Sequence, residues 1–220
     1  MRTKTWASRR NICKLNFDMY QEKLFFGSSH TWALDLLKDR ERTILDVGAG
    51  SGFIKKHLPY KTVDEVEPGT VYSSLNDVPD KHYDTLLFLD VLEHMPDPES
   101  VLLDSVKRFS PNEILISVPN ITHWSIRLSI LFGFFEYQDR GILDRSHLQF
   151  FSIKRAKALI NLLSNYSGSL SGSIVPLELI LPKNTPTFGR LRKCFSDTLP
   201  SLFAYQYLIH IKLGKGNVRT

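Results

Sequence analysis

Blocks of apolar residues recur along this chain, and their period switches repeatedly between that of a helix and that of a strand. Trp32, Ala33, Leu36 and Leu37 lie at helical spacing, Arg42 to Val47 predicts a first strand, and Ile54 and Leu58 form one face of a short helix. Thr62 to Val66 predicts a second strand, kept short by Asp64 and Glu65. The run Thr85-Leu86-Leu87-Phe88-Leu89 is apolar throughout, as in a strand covered on both faces. Asp97 can accept from first-turn amides, Pro98 suits the first helical position and Glu99 the positive end, so a helix starts there carrying Val101, Leu102, Val106 and Phe109 inward. Ile114 to Val118 predicts a buried strand ended by Pro119. Ser152 is placed to cap a helix bearing Ile153, Ala156, Leu159, Ile160 and Leu163, and a late strand runs from about Tyr205 to Leu213 before Gly214. The alternation predicts a layered α/β domain with a largely parallel sheet. No repeat or low-complexity segment divides residues 1–220, which read as one domain.

Two segments interrupt this order. Residues 121–151 hold Trp124, an apolar run from Ile126 to Phe135 expected to join the core, and the polar group Asp139, Arg140, Asp144, Arg145 and His147. Residues 176–198 hold Pro176, Pro182 and Pro186 and the basic stretch Arg190 to Lys193. Both follow strands, where α/β folds place ligand-facing loops, so substrate specificity is expected there.

With 220 residues and 42% hydrophobic content, the chain can bury a sizeable core without disulfides or metals. Cys13 and Cys194 are far apart, lack metal-ligand spacing and read as reduced thiols. The N-terminus shows no signal-peptide pattern and no stretch approaches the ~20 apolar residues of a membrane span, which sets a cytoplasmic expectation. The net charge of +5 and pI near 9.1 reflect basic residues at Arg2, Lys4, Arg9, Arg10 and Lys14 and again at Arg190, Arg192 and Lys193. A solvated surface is the first reading of that charge, and an anionic partner (nucleic acid, anionic lipid or a phosphorylated substrate) the functional alternative.

The chemistry-bearing stretch is Asp46-Val47-Gly48-Ala49-Gly50-Ser51-Gly52, directly after the first strand. Alternate glycines let the backbone turn sharply and approach a ligand without Cβ interference. A dinucleotide fingerprint needs its third glycine at position 53, which is Phe53. A Gly-x-Gly-x-Gly turn with an acid two residues before it resembles instead the first motif of class I S-adenosylmethionine-dependent methyltransferases. That resemblance implies a Rossmann-like three-layer sandwich with a seven-stranded, mainly parallel sheet. It also implies that Gly48, Ala49, Gly50 and Gly52 carry the methionine and ribose part of S-adenosylmethionine while Asp46 helps neutralise its ammonium group. In Val63-Asp64-Glu65-Val66-Glu67-Pro68 the similar acid-x-acid-Pro pattern makes Glu65 the ribose ligand and Glu67 its alternative. The segment around Asn76-Asp77-Val78-Pro79 resembles the part that flanks adenine, which implicates Ser74, Leu75 or Asn76, with a solvated loop as the alternative.

The run Asp90-Val91-Leu92-Glu93-His94-Met95-Pro96-Asp97-Pro98 resembles the fourth-strand junction of the branch that includes ubiquinone- and methionine-biosynthesis-type methyltransferases, and places Asp90 at the methionine end of the cofactor. Glu93 and His94 also suit a hydrogen-bonded structural pair. Val118-Pro119-Asn120-Ile121-Thr122-His123-Trp124-Ser125-Ile126-Arg127 and Gly141 to Phe151 are similar to a bacterial methyltransferase subgroup associated with cell-surface glycans, a likeness spanning about residues 20–213. In this setting His147 is the acid/base candidate, with Arg145 for an anionic group and Trp124 on the substrate side. A salt-bridged, His-capped loop is the structural alternative for Asp144, Arg145 and His147.

Missing motifs narrow the chemistry. Position 117–120 reads Ser-Val-Pro-Asn rather than the Asn/Asp-Pro-Pro-aromatic segment of amine methylation, and there is no Pro-Cys nucleophile, phosphate loop, zinc helix or nucleophile elbow. No metal site is expected. The absences single out no acceptor; it is the subgroup resemblance that implies methyl transfer from S-adenosylmethionine to a small-molecule, sugar or lipid-linked acceptor, at oxygen. RNA or protein methylation is the alternative favoured by charge, and a non-catalytic methyltransferase-fold binding protein the third.

Overall fold

The computed structural model describes residues 28–39, 42–59, 62–167, 170–177 and 197–214. The N-terminal basic group, Cys13, Cys194, Pro182, Pro186 and the basic stretch 190–193 lie outside the described residues. Helix α1 (Ser29–Leu37) leads into β1 (Thr43–Val47), α2 (Phe53–His57) and β2 (Thr62–Val66). Strand β3 (Thr85–Leu89), α3 (Pro98–Phe109), β4 (Glu113–Pro119) and α4 (Trp124–Leu131) follow. After them come α5 (Ile153–Ser167), β5 (Leu170–Leu177), the short α6 (Pro200–Phe203) and β6 (Gln206–Leu213).

The strands form one sheet in the order β2-β1-β3-β4-β6-β5. Pairs β1–β2, β1–β3 and β3–β4 are parallel, whereas β6 pairs antiparallel with both β4 and β5. The sheet is therefore six-stranded and mixed among the described residues, which corrects the expected seven strands in a mainly parallel arrangement. One cause is visible between β2 and β3. There Pro68, Gly69, Ser73, Ser74 and Pro79 break up any apolar run, and the chain forms a single bridge, Val66 to Tyr72, and a 3-10 turn at Leu75–Asp77.

Side-chain alternation divides the core between the two faces. Leu45 and Val47, Leu86 and Phe88, and Ile114, Ile116 and Val118 pack with α3 and α5. Their neighbours Ile44, Leu87, Leu89 and Leu115 pack with α1 and α2. Every residue of β3 and β4 is buried, and each fully buried large apolar side chain contributes about 1.5–3 kcal/mol. At the polar end of β4, Glu113 is only 4% exposed and receives hydrogen bonds from Arg42 and Thr85, with His210 Nε2 3.0 Å from its other oxygen. Asp97 caps α3 by accepting from the Ser100 amide at 3.1 Å, as the sequence predicts.

Two elements depart from the sequence expectation. Strand β5 has only a broken apolar signature because it is an edge strand paired on one side only, with no fully buried residue, so Leu170 and Ile174 on the core suffice there. Helix α4 and the residues after it, expected in the core, have no buried residue in the helix and leave Leu131, Phe132 and Phe134 at 77%, 67% and 64% exposure. Both faces of the sheet are already filled by the other helices, and α4 is held at its start, where the Arg127 guanidinium donates to Thr122 and Ser201 carbonyls. No described helix is long and apolar enough to cross a membrane.

Candidate functional site

The site lies beyond the C-terminal ends of β1, β2, β3 and β4, the edge at which open parallel sheets bind ligands. At β1, Gly48, Gly50 and Gly52 all take positive φ values of 73°, 56° and 70°. The Gly48 amide donates to Val66 O at 2.9 Å, Gly50 donates to Glu67 Oε2 at 3.2 Å and Gly52 to Ala49 O at 3.0 Å. A Cβ at Gly48 would collide with Val91, and one at Gly52 would stand 2.6 Å from Glu65 Oε1. Gly48 is thus required by both backbone and space, and Gly52 by its backbone, where a side chain would also have to displace Glu65.

Parallel register sets Asp46 beside Glu65, and Glu67 follows at the end of β2. The turn therefore faces a cluster of carboxylates. Asp46 is 3% exposed, and burial first, then repulsion from Glu65 and Glu67, pushes its pKa up to about 7. Glu65 Oε2 receives Lys55 Nζ at 3.1 Å, while its Oε1 is buried and has no hydrogen-bond partner. A crowded acid cluster with an unsatisfied buried acceptor, over a turn stripped of side chains, suits a cationic ligand that also carries hydroxyl groups.

Asp90 directly follows β3, in the left-handed region at φ 58°. Its carboxylate accepts from Ser29 Oγ at 3.1 Å, from Ser117 Oγ at 2.6 Å and from the Gln206 amide, which ties together α1, β4 and β6. Beside it opens a cavity of about 620 Å³ whose lining includes Glu93, His94, Arg145, His147, Tyr205 and Gln206. Leu148 and Gln149 amides donate to Glu93 O at 2.8 and 2.9 Å, so the 138–148 loop is laced to the junction after β3. The structure thereby brings His147, 3.9 Å from Nε2 to Glu93 Oε1, to the same cavity as Asp90. Burial keeps His147 below the usual imidazole range, against the raising effect of the Ile142 carbonyl, and the nearby His94 adds to the lowering.

Other predicted residues fall differently. Arg145 lines the cavity and is paired with Asp139 at 2.7 Å, while Asp144 accepts from Ser146. Trp124, 47% exposed at the start of α4, is not among the residues lining the cavity. Ser74 and Asp77 close a reciprocal capping box, and Arg108 of α3 holds the carbonyls of Leu75 and Val78, so hydrogen bonds tie this turn to α3 rather than to the glycines. Ser29, Ser117, Tyr205 and Gln206 reach the site without a sequence signal, because only the fold brings their elements to Asp90.

A family model described as a methyltransferase domain matches residues 28–166, more than half of the chain. A comparison with curated proteins found no match. Among solved structures, a SAM-dependent methyltransferase from Archaeoglobus fulgidus is similar at 18% identity and TM-score 0.51, covering 90% of this chain and 100% of that one. The plantazolicin methyltransferase BamL, in complex with a triazolic desmethylPZN analog and SAH, gives 13% identity and TM-score 0.61, covering 96% and 94%. The small RNA methyltransferase HEN1 gives 14% identity and TM-score 0.55, covering 87% of this chain and 25% of that one. The likeness to these structures lies in the fold, while the family match covers the glycine turn, the acids and the junction after β3. The chain belongs to this methyltransferase domain family and is an enzyme that uses S-adenosylmethionine as its methyl donor.

Proposed function

We propose that this enzyme methylates an oxygen of a small-molecule, sugar or lipid-linked acceptor held in the cavity beside Asp90. The observation that carries the reading is the position of His147. Its Nδ1 lies 3.1 Å from the Ile142 carbonyl, which can only accept, so the proton sits there and the Nε2 lone pair of the neutral ring faces Glu93 in the cavity. A basic nitrogen held in that way can take the proton of an acceptor hydroxyl.

In this reading Glu65 Oε1 accepts from ribose hydroxyls, Asp46 and Glu67 offset the positive charge of the cofactor, and the backbone of Gly48, Ala49, Gly50 and Gly52 lies against it. Asp90 fixes the methionine end, and Ser74 and Leu75 stand on the adenine side. When bound, S-adenosylmethionine supplies a methyl group already activated by a sulfonium charge. The protein's own contribution is orientation, which supplies up to ~7–11 kcal/mol in well-aligned model reactions. Arg145, at the cavity wall, suits an anionic group on the acceptor such as the phosphate of a lipid-linked sugar. The exposed apolar residues Leu131, Phe132 and Phe134 suit a hydrocarbon part of the same acceptor.

The test is transfer of a labelled methyl group to a panel of sugars, polyprenyl-phosphate sugars and phenols, with RNA and peptides as controls. Label on oxygen of the first group is expected. Label confined to RNA or peptide would overturn the proposal. His147→Ala is expected to lower turnover by ~10²–10⁴ with cofactor affinity preserved, and unchanged turnover would remove the base role.

A further inference from the structure

The geometry points to a divalent metal site made by Glu93, His94 and His147 at the wall of the acceptor cavity. One ligand atom from each lies within 4.8 Å of the other two. The residues come from the junction after β3 and from the 138–148 loop, and the fold brings the two imidazoles edge to face, with centroids 4.9 Å apart.

The orientation of the rings is the second observation. His94 Nδ1 lies 3.2 Å from Ser146 O, and His147 Nδ1 lies 3.1 Å from Ile142 O. Carbonyls only accept, so each Nδ1 carries a proton and each Nε2 is the nitrogen left to a metal. A backbone carbonyl on the far nitrogen is the arrangement by which metal-ligating histidines are oriented and made more basic. Glu93, 2% exposed, supplies a hard anionic oxygen, and its own carbonyl is locked by the Leu148 and Gln149 amides. An ion at ~2.0–2.2 Å from each ligand needs only small side-chain rotations to close the set.

Two imidazoles and one carboxylate suit Zn²⁺, Mn²⁺, Co²⁺ or Fe²⁺ over Mg²⁺ or Ca²⁺. Three protein ligands leave coordination positions open toward the cavity. The chemical use of the site rests on the oxygen-methylation reading above. There the ion would hold the acceptor hydroxyl and lower its pKa. The O–H proton is released to solvent and the oxygen–methyl bond forms as the sulfur–methyl bond breaks, with sulfur keeping the electron pair. With the ion bound, the acceptor ionises at the metal and His147 serves as a ligand; the base role described above belongs to the metal-free protein.

The test is titration of the chelator-treated full chain with Co²⁺ alone, followed by calorimetry and visible absorption, with S-adenosylmethionine binding measured separately on the same samples. One Co²⁺ per chain with ligand-field bands is expected. Loss of an orienting partner typically costs about 10–100-fold in metal affinity, so His94→Gln and His147→Asn are each expected to weaken binding at least that far. His94 is exposed, which keeps its variant folded even if substitution of buried Glu93 does not. Absence of stoichiometric binding, or binding unchanged in the double histidine variant, would overturn the site. Co²⁺ binding without S-adenosylmethionine binding would leave the site standing and remove the methyl-transfer reading; the converse would do the opposite.

Discussion

Glu65 Oε1 stands 2.6 Å from the point a Cβ on Gly52 would occupy, so the end of β2 and the glycine turn after β1 are fitted to each other. Gly52 also holds φ 70°, a region that costs a side-chain-bearing residue about 1–2 kcal/mol. Gly52→Ala is therefore expected to lower thermal stability by an amount of that order and to displace Glu65, with a roughly tenfold or greater loss of S-adenosylmethionine affinity. Thermal melting together with calorimetric titration checks both; wild-type affinity in the variant would contradict the fit.

In the proposed cofactor site, Asp46 confers sensitivity to pH. Its carboxyl rises from the ordinary 3.8 to about 7, so the folded state holds this proton more tightly than the unfolded chain. Its contribution to stability is greatest below 3.8, declines as pH rises toward about 7 and is level above that. A cationic ligand prefers the ionised form, so S-adenosylmethionine affinity is expected to rise with pH up to about 7 and then flatten, with proton release on binding at lower pH. Asp46→Asn removes the dependence. Affinity that is flat between about pH 5.5 and 8 in the wild type would contradict this linkage.

Asp90 joins a strained backbone to three hydrogen bonds from Ser29, Ser117 and Gln206. Asn tolerates the left-handed region and keeps an acceptor, whereas Ala offers neither. Asp90→Ala is expected to cost about 1–3 kcal/mol in chemical denaturation, and Asp90→Asn clearly less. Equal losses would show that the hydrogen bonds do not set the conformation.

Glu113 tests the fold away from the site. Burial pushes its carboxyl up, but the His210 hydrogen bond and the Arg42 charge outweigh it, and its pKa lies below the usual range. A depressed acid stabilises the fold above its unfolded pKa, and that stability is lost as pH falls through the folded value. Arg42→Ala leaves the carboxylate, at 5% side-chain exposure, to Thr85 and His210 alone and is expected to cost about 1–3 kcal/mol. A loss under about 1 kcal/mol in urea denaturation would show the pair to be solvated in effect.

The buried centre of the fold was legible because period, caps and turn residues agree there. Strands β1 to β4 and helix α3 sit where the apolar runs and Asp97-Pro98 put them. Edge strand β5 was not legible, since one-sided pairing imposes little on sequence, and the Ile126 to Phe135 run misled because an apolar stretch does not record whether a partner surface remains for it. At the site, the glycine register and Asp46, Glu65 and Glu67 are local in sequence and could be read together. The meeting of Glu93 and His94 with His147 could not, because it depends on how the 138–148 loop is tied back to Glu93 O.

Whether the glycine turn and its acids hold S-adenosylmethionine is decided by calorimetric titration of that cofactor into the folded protein. One molecule bound per chain is expected, with at least about tenfold weaker binding in Glu65→Gln, the loss expected when a hydrogen bond to a charged group is removed. Absence of binding by protein whose circular dichroism and melting are those of a folded α/β domain would contradict it.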